Sequence, residues 1–273
     1  MLVLKPFLVK ERIVKKNLVL VLVLVLIDVL GTAARADLIC YEGFEYSTGS
    51  LAGQGTSVDG WSGAWSGGNY NVQAGSLTMD GMPFASVGGS AVGTGNANRT
   101  FSTAIDTSQE GAYYISFLLQ RSGWAAGASE FAYAELLWNA KADWGVSSGE
   151  AYNTTNIGSS VLVAGAGTTD PIFIVGKLLT NTSGTPDQIF LKAYTSGDSI
   201  EFSETSDWTV IGGTEDGDGI NTVLRLATGT TVGYTAAYDE IRIGTEWSDV
   251  VVPEPATGVL LAVGMISLLK RRK

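Results

Sequence analysis

Both ends of this chain are apolar segments that one domain surface cannot cover, and the C-terminal one sets the strictest limit on what can fold. Val252-Pro253-Glu254-Pro255-Ala256 leads into an apolar run from Thr257 to Leu269, and Lys270-Arg271-Arg272-Lys273 follows. Two prolines flanking one acid can continue neither a helix nor a sheet ladder, so the triplet is a stiff, extended break. A helix can start only beyond it, over 256–269. Val259, Leu260, Leu261, Val263, Met265, Ile266, Leu268 and Leu269 make that helix apolar all round, and at about 1.5 Å per residue it reaches roughly 20 Å. This is short for a lasting span. The four cations resist crossing a bilayer, hold the terminus on the cytoplasmic side and make the run a stop-transfer element. A buried core helix is the alternative reading of so short a run, but it lacks the single apolar stripe of a domain helix.

Proline-glutamate-proline, a short apolar helix and a basic end, in that order, resemble the tripartite PEP-CTERM sorting signal of Gram-negative bacteria that make exopolysaccharide. The resemblance covers 251–273 and implies recognition by a membrane-embedded exosortase, with cleavage near Pro253, Glu254 and Pro255. Those three residues would then be recognition groups on a substrate, not catalytic ones. The body would be anchored in the inner membrane before processing and afterwards released to the cell surface or extracellular matrix.

The N-terminus reads as a secretory signal over 1–36. Lys5, Lys10, Arg12, Lys15 and Lys16 form a basic region, Leu18 to Ile27 is unbroken Leu, Val and Ile, and Ala34-Arg35-Ala36 fits a cleavage site. An uncleaved anchor is the alternative, because the basic region is long and Asp28 interrupts the apolar segment. Either way the body is exported. Cys40 lacks the small residues of a lipoprotein box before it, and as an unpaired thiol it reads as a buried apolar residue.

Residues 37–250 therefore carry the fold. Across the whole chain charged residues are only 16% and glycines number 35, the profile of a turn-rich β protein. There is no histidine, which excludes His-based triads and His metal ligands. From Asp37 to Val251 seven cations stand against 24 acids, a net charge of −17. Nucleic acid and anionic lipid are poor partners for such a surface, whereas cations and neutral glycans are not excluded.

Period-two alternation marks short strands at Leu38–Tyr46, Ala112–Arg121, Glu130–Trp138, Ile172–Val175, Gln188–Tyr194, Ile220–Ala227 and Ala237–Gly244. One apolar face per strand predicts two packed sheets. The expected fold is an all-β antiparallel two-sheet sandwich, with a jelly roll as the usual topology at this size. Tyr238-Asp239-Glu240-Ile241-Arg242-Ile243-Gly244-Thr245-Glu246-Trp247 resembles the closing strand of LamG-like, concanavalin A-like jelly rolls. Tyr41-Glu42-Gly43-Phe44-Glu45-Tyr46 with Trp61 to Trp65 resembles the opening of such domains in exported PEP-CTERM proteins. That family includes glycan-binding and protein-binding members, and some relatives on the fold hydrolyse glycans.

Three constellations remain. A glycan hydrolase of laminarinase type needs Glu-x-Asp-x-x-Glu, which is absent, and Glu201 and Glu204 lie three apart, so a strand sends them to opposite faces. They read as surface acids. Asp216 and Asp218, in Thr214-Glu215-Asp216-Gly217-Asp218-Gly219, offer hard oxygens that suit calcium, but the pattern is incomplete and equally describes a polar turn. Of the seven tryptophans, Trp61, Trp65, Trp124 and Trp144 are the ones whose loop or turn positions suit stacking on sugar rings; the others read as core. The expectation is an exported, non-catalytic surface or matrix protein associated with exopolysaccharide. A glycan-binding module and a glycoside hydrolase are the alternatives.

Overall fold

The computed structural model describes residues 38–123, 130–137, 142–147, 151–156, 159–166, 169–213 and 215–251. The helices expected within 1–36 and over 256–269 lie outside the described residues. Asp37–Val252 forms one compact unit. Among the described residues no helix is long and apolar enough to cross a membrane.

In chain order the elements are β1 (Leu38–Glu42), β2 (Gly49–Ser50), β3 (Asn69–Ala74), β4 (Gly89–Asp106), β5 (Gly111–Ser122), β6 (Ala132–Leu137) and β7 (Ala142–Ser147). They continue with β8 (Ala151–Asn156), β9 (Ser159–Ala164), β10 (Ile172–Thr180), β11 (Gln188–Tyr194), β12 (Val210–Gly212), β13 (Ile220–Thr228), β14 (Thr235–Gly244) and α1 (Trp247–Val251). Neighbours follow the order β12-β11-β10-β5-β14-β4-β13-β6-β7-β8-β9, with β1 beside β14, β3 beside β4 and β2 beside β3. All these pairings are antiparallel. The expected antiparallel sandwich is what the chain forms, and β11 has the predicted bounds.

One strand belongs to both sheets. Up to Thr94, β4 pairs with β14 and β3; from Gly95 onward it pairs with β13. Gly95 has φ +78° at this corner, a backbone state that costs a residue with a Cβ but not glycine. Sequence reading passed over β4 because Gly-Ser-Ala-Val-Gly-Thr-Gly-Asn-Ala-Asn has too few large apolar residues to show alternation.

The main core lies between the sheets and includes Phe117, Ile174, Leu191, Leu224 and Tyr238. β10 and β11 of one sheet pack against β7 and β8 of the other. Trp144 of β7 spans the gap, donating from Nε1 to the Phe190 carbonyl at 2.9 Å. Its ring needs a hole in the facing sheet, which Gly176 of β10 supplies: a Cβ there would lie 2.5 Å from the Trp144 Nε1.

The alternation predicted one apolar face per strand, and the first sheet departs from it. Its outer face carries a second core of Leu77, Tyr114, Leu118, Phe173, Val175 and Trp247, among others. The segments around Leu77–Phe84 and Ile200–Trp208, together with α1, cover that face. A strand covered on both sides has no polar face to show, which is why β5 is buried almost continuously from Tyr114 to Leu119. Two acids of β14 hold the covering segment. Asp239 accepts from the Leu77 and Glu240 amides, both at 2.8 Å, and Glu240 accepts from the Val87 amide at 2.8 Å. Glu240 has φ +51° at an irregularity of the β14–β5 register, and this turns two successive acids toward the segment.

Burial pushes the Asp239 carboxyl up from 3.8 to about 8, against the opposing pull of its two amide donors. The folded chain then keeps a proton that the unfolded chain releases, so stability falls as pH rises through that window. Melting temperature is expected to drop between pH 4 and about 8, and Asp239→Asn to flatten that part of the slope, read by circular dichroism. Gly176→Ala, which drives a methyl into the Trp144 ring, is expected to cost about 1–3 kcal/mol in denaturant unfolding.

Candidate functional site

The opening strand and the glycine- and tryptophan-rich segment after it build a cleft around one buried ion pair. β1 is fixed on β14, with Tyr41 opposite Arg242 and Glu42 opposite Ile241. Glu42 points inward and is almost fully buried. Its carboxylate accepts from the Phe44 amide at 2.7 Å, the Tyr46 hydroxyl at 2.7 Å, the Trp65 indole at 2.8 Å and the Arg99 guanidinium. Four donors, one of them the paired guanidinium, satisfy a carboxylate taken out of water.

Arg99 comes from the second half of β4 and is equally buried. Besides Glu42, it donates from Nη1 to the Tyr46 hydroxyl at 2.7 Å, from Nη2 to the Thr56 carbonyl at 2.9 Å and from Nε to the Gly63 carbonyl at 2.9 Å. The guanidinium also lies 4.6 Å from the centre of the Trp61 ring. One fork thus ties β4 to β1 and to both arms of the loop between Phe44 and Ser66. Trp61 stacks on Phe101 at 5.5 Å and Trp65 on Phe44 at 5.9 Å, so aromatic mass supplies the core that a glycine-rich loop lacks. Gly60 permits the close approach: at φ +84° a Cβ would sit 1.7 Å from the Ile39 carbonyl.

The resulting cleft has a volume of about 390 Å³. Glu42, Trp61 and Arg99 form its floor, Tyr41 and Tyr46 are half-buried walls, and Glu45, Thr56, Val58 and Asp59 stand exposed on the rim. Burial, with the neighbouring Glu240 and Glu42 carboxylates, pushes the Tyr41 and Tyr46 hydroxyls up, so both stay protonated, Tyr41 donating to Glu240 at 3.2 Å and Tyr46 to Glu42, and their oxygens are left to accept. The cleft therefore offers aromatic surface, fixed hydroxyls and two exposed carboxylates, groups suited to an uncharged, hydroxyl-rich ligand.

The sequence-selected tryptophans need correction. Trp61, Trp65 and Trp144 are each 2% exposed or less, and protein covers their faces, so none offers a ring to a sugar. Their indole N–H groups go to the Tyr41 carbonyl, Glu42 and the Phe190 carbonyl. Trp124 lies outside the described residues, as do Ala34, Ala36, Pro253, Glu254, Pro255, Lys270, Arg271, Arg272 and Lys273. The acids Glu201 and Glu204 each accept from a tyrosine, Tyr194 and Tyr114, at 2.6 Å.

Asp216 and Asp218 are not gathered into a cage. Asp216 accepts from the Gly184 amide at 2.5 Å, and the neighbouring Asp187 takes the Gly217 amide at 3.0 Å and the Asn181 amide at 2.9 Å. These acids close turns. Among the described residues no group of three or more His, Cys, Asp or Glu side chains is placed to hold a metal ion.

Paired carboxylates do occur, but across strands rather than along one. Glu135 of β6 sits opposite Asp143 of β7, and Arg225 of β13, opposite Glu135, reaches its carboxylate at 3.5 Å. Both acids are at most 3% exposed, so the pair lines no open cleft. Sequence reading also missed Arg99 and Glu42. The available signal was a single arginine in a long uncharged stretch, with acids in the aromatic motif Tyr41 to Tyr46 the obvious partners.

Arg99→Ala, which strands the buried Glu42, is expected to cost about 3–5 kcal/mol in denaturant unfolding. Arg99→Lys recovers only part, because an ammonium cannot serve Glu42, Thr56 and Gly63 at once. Asp216 and Asp187 already hold backbone amides, so the melting temperature is expected to be the same in millimolar calcium and in chelator.

Comparison with known proteins places one part of the chain. The profile of the PEP-CTERM protein-sorting motif matches residues 251–273. No curated protein matches the chain. Among solved structures, the binding domain of botulinum neurotoxin DC in complex with rat synaptotagmin II is 10% identical with a TM-score of 0.42, covering 82% of this chain and 51% of that one. The botulinum neurotoxin serotype D/C VPI 5993 binding domain is 8% identical with a TM-score of 0.41, covering 82% and 51%. A bifunctional GH43-CE protein of Bacteroides eggerthii is 13% identical with a TM-score of 0.37, covering 65% and 22%. The chain spans about half the length of the two toxin domains, and likeness at this level carries no inference about activity. What the comparisons establish is the C-terminal segment: residues 251–273 are a PEP-CTERM protein-sorting motif.

Proposed function

We propose that this chain is a non-catalytic surface or extracellular-matrix protein, cut by an exosortase-type enzyme and associated with extracellular polysaccharide through the Tyr41–Tyr46 cleft. The sorting signal at 251–273 carries the reading, since it directs the body to the compartment where polysaccharide is the abundant partner. The N-terminal signal, cut after Ala36, would start export, and the C-terminal helix with Lys270 to Lys273 would hold the chain in the inner membrane until processing. Body chemistry is compatible. A net charge of −17 between Asp37 and Val251 disfavours nucleic acid and acidic lipid, and the cleft presents hydroxyl-binding groups without a positive rim.

Two experiments test the two halves of this reading. Replacing Pro253, Glu254 and Pro255 together by alanine is expected to retain the chain in the inner-membrane fraction, while the native chain reaches the surface or medium. Identical fractionation of both would remove the main support. Retention of the native chain on immobilised neutral polysaccharides is expected to weaken roughly tenfold in Glu45→Ala, the loss of one charge-assisted hydrogen bond, at an unchanged melting temperature. Turnover of any polysaccharide in the same panel would replace binding with hydrolysis.

A further inference from the structure

The second sheet ends on an unguarded strand. Among the described residues β9 pairs only with β8, in unbroken register from Ser159 opposite Asn156 to Ala164 opposite Ala151. Leu162 is 52% exposed and Val163 37% exposed, while Val161 packs partly against the main core. Beside it runs the edge of the other sheet, β12, which packs on β8 and β9 and exposes Ile211 at 56%. Edge strands are ordinarily protected by a lysine, a proline or a bulge, because their free amides and carbonyls will pair with any available strand. β9 has none of these. No charged residue lies between Glu150 and Asp170.

We propose that β9 is a self-association edge, on which a second copy of this chain lays its own β9 antiparallel across a two-fold axis at Leu162. The sequence is its own complement. Ser160-Val161-Leu162-Val163-Ala164 reads as small, valine, leucine, valine, small in either direction. About a two-fold axis Leu162 meets Leu162, each Val161 meets Val163 of the other copy, and Ser160 meets Ala164. Every cross-strand position is then matched in size, and the interface is isologous, as a closed dimer requires. Faces match as well. Val161 and Val163 stand opposite Thr154 and Tyr152, both buried, so the paired valines extend the inner layer from one copy to the next.

Charge limits where two copies can meet. Two bodies of net −17 repel, so their contact falls on the stretch between Glu150 and Asp170 that carries no charge. A basic partner would instead seek the acids. Self-pairing on β9 is independent of glycan binding at the cleft, which lies on β1 and the loop after it.

Directed disulfide formation in the full-length chain, in native membranes, tests the geometry. Residues facing each other in an antiparallel pair have Cα atoms about 4.5 or 5.5 Å apart, both within disulfide range. Leu162→Cys is therefore expected to give a disulfide-linked dimer under mild oxidation. Val232→Cys, at a fully exposed loop position, is the control for random collision or association through the tail, and the native Cys40 is buried. Adding Ser160→Lys and Ala164→Lys, both at exposed positions, to Leu162→Cys places like charges opposite each other twice and is expected to lower the dimer yield about tenfold, with the β signal in circular dichroism unchanged. Crosslinking of Leu162→Cys no greater than that of Val232→Cys overturns the proposal. So does a product whose mass identifies a different protein.

Discussion

The Arg99–Glu42 pair is the interaction on which the rest of this fold turns. Glu42 belongs to the strand that opens the first sheet, and Arg99 to the half of β4 that has crossed into the second. A buried ion pair is a poor source of net stability, because desolvating two charges offsets most of their attraction. Its effect here is on specificity. This arrangement of the loop between Phe44 and Ser66 satisfies the carboxylate with four donors and the guanidinium with its carbonyls at the same time. A packing that broke these contacts would leave a charge buried and unpaired.

From that lock the remaining architecture follows by layers. β4 joins the sheets at a glycine corner, so a continuous strand links them on one side, and on the other the terminal strands β9 and β12 pack side by side. The first sheet is covered twice, by the second sheet and by the segments that Asp239 and Glu240 tether through backbone amides. Loops without much hydrophobicity of their own are ordered by acids held beneath them. Buried acids of this kind make the body sensitive to pH without any histidine.

Function divides along the same lines. The terminal segments carry 10 of the chain's 17 cations, while residues 37–251 keep most of the acids. On the proposed function, that segregation would let the basic ends engage the inner membrane and leave an acidic body for the exterior. A cleft at one place on the body and a self-pairing strand at another would combine into a protein that both grips polysaccharide and links copies of itself, as a matrix component needs.

Local chemistry fixed the C-terminal sorting motif, the sandwich class and the strands with strong alternation. Pro253-Glu254-Pro255, the cations after Leu269 and the period of Gln188–Tyr194 act through neighbours in sequence, so they can be read without a structure. What only the tertiary structure decided are the consequences of distant contact. Trp61, Trp65 and Trp144 are core because Phe101, Glu42 and Gly176 take up their surfaces. Glu42 and Arg99 make a site because residues 57 apart in sequence return to the same point. Glu135 and Asp143 are paired by register and closed by burial. A side chain's type sets what it can bind, but the solvent around it and the partner across from it are set by residues far along the chain.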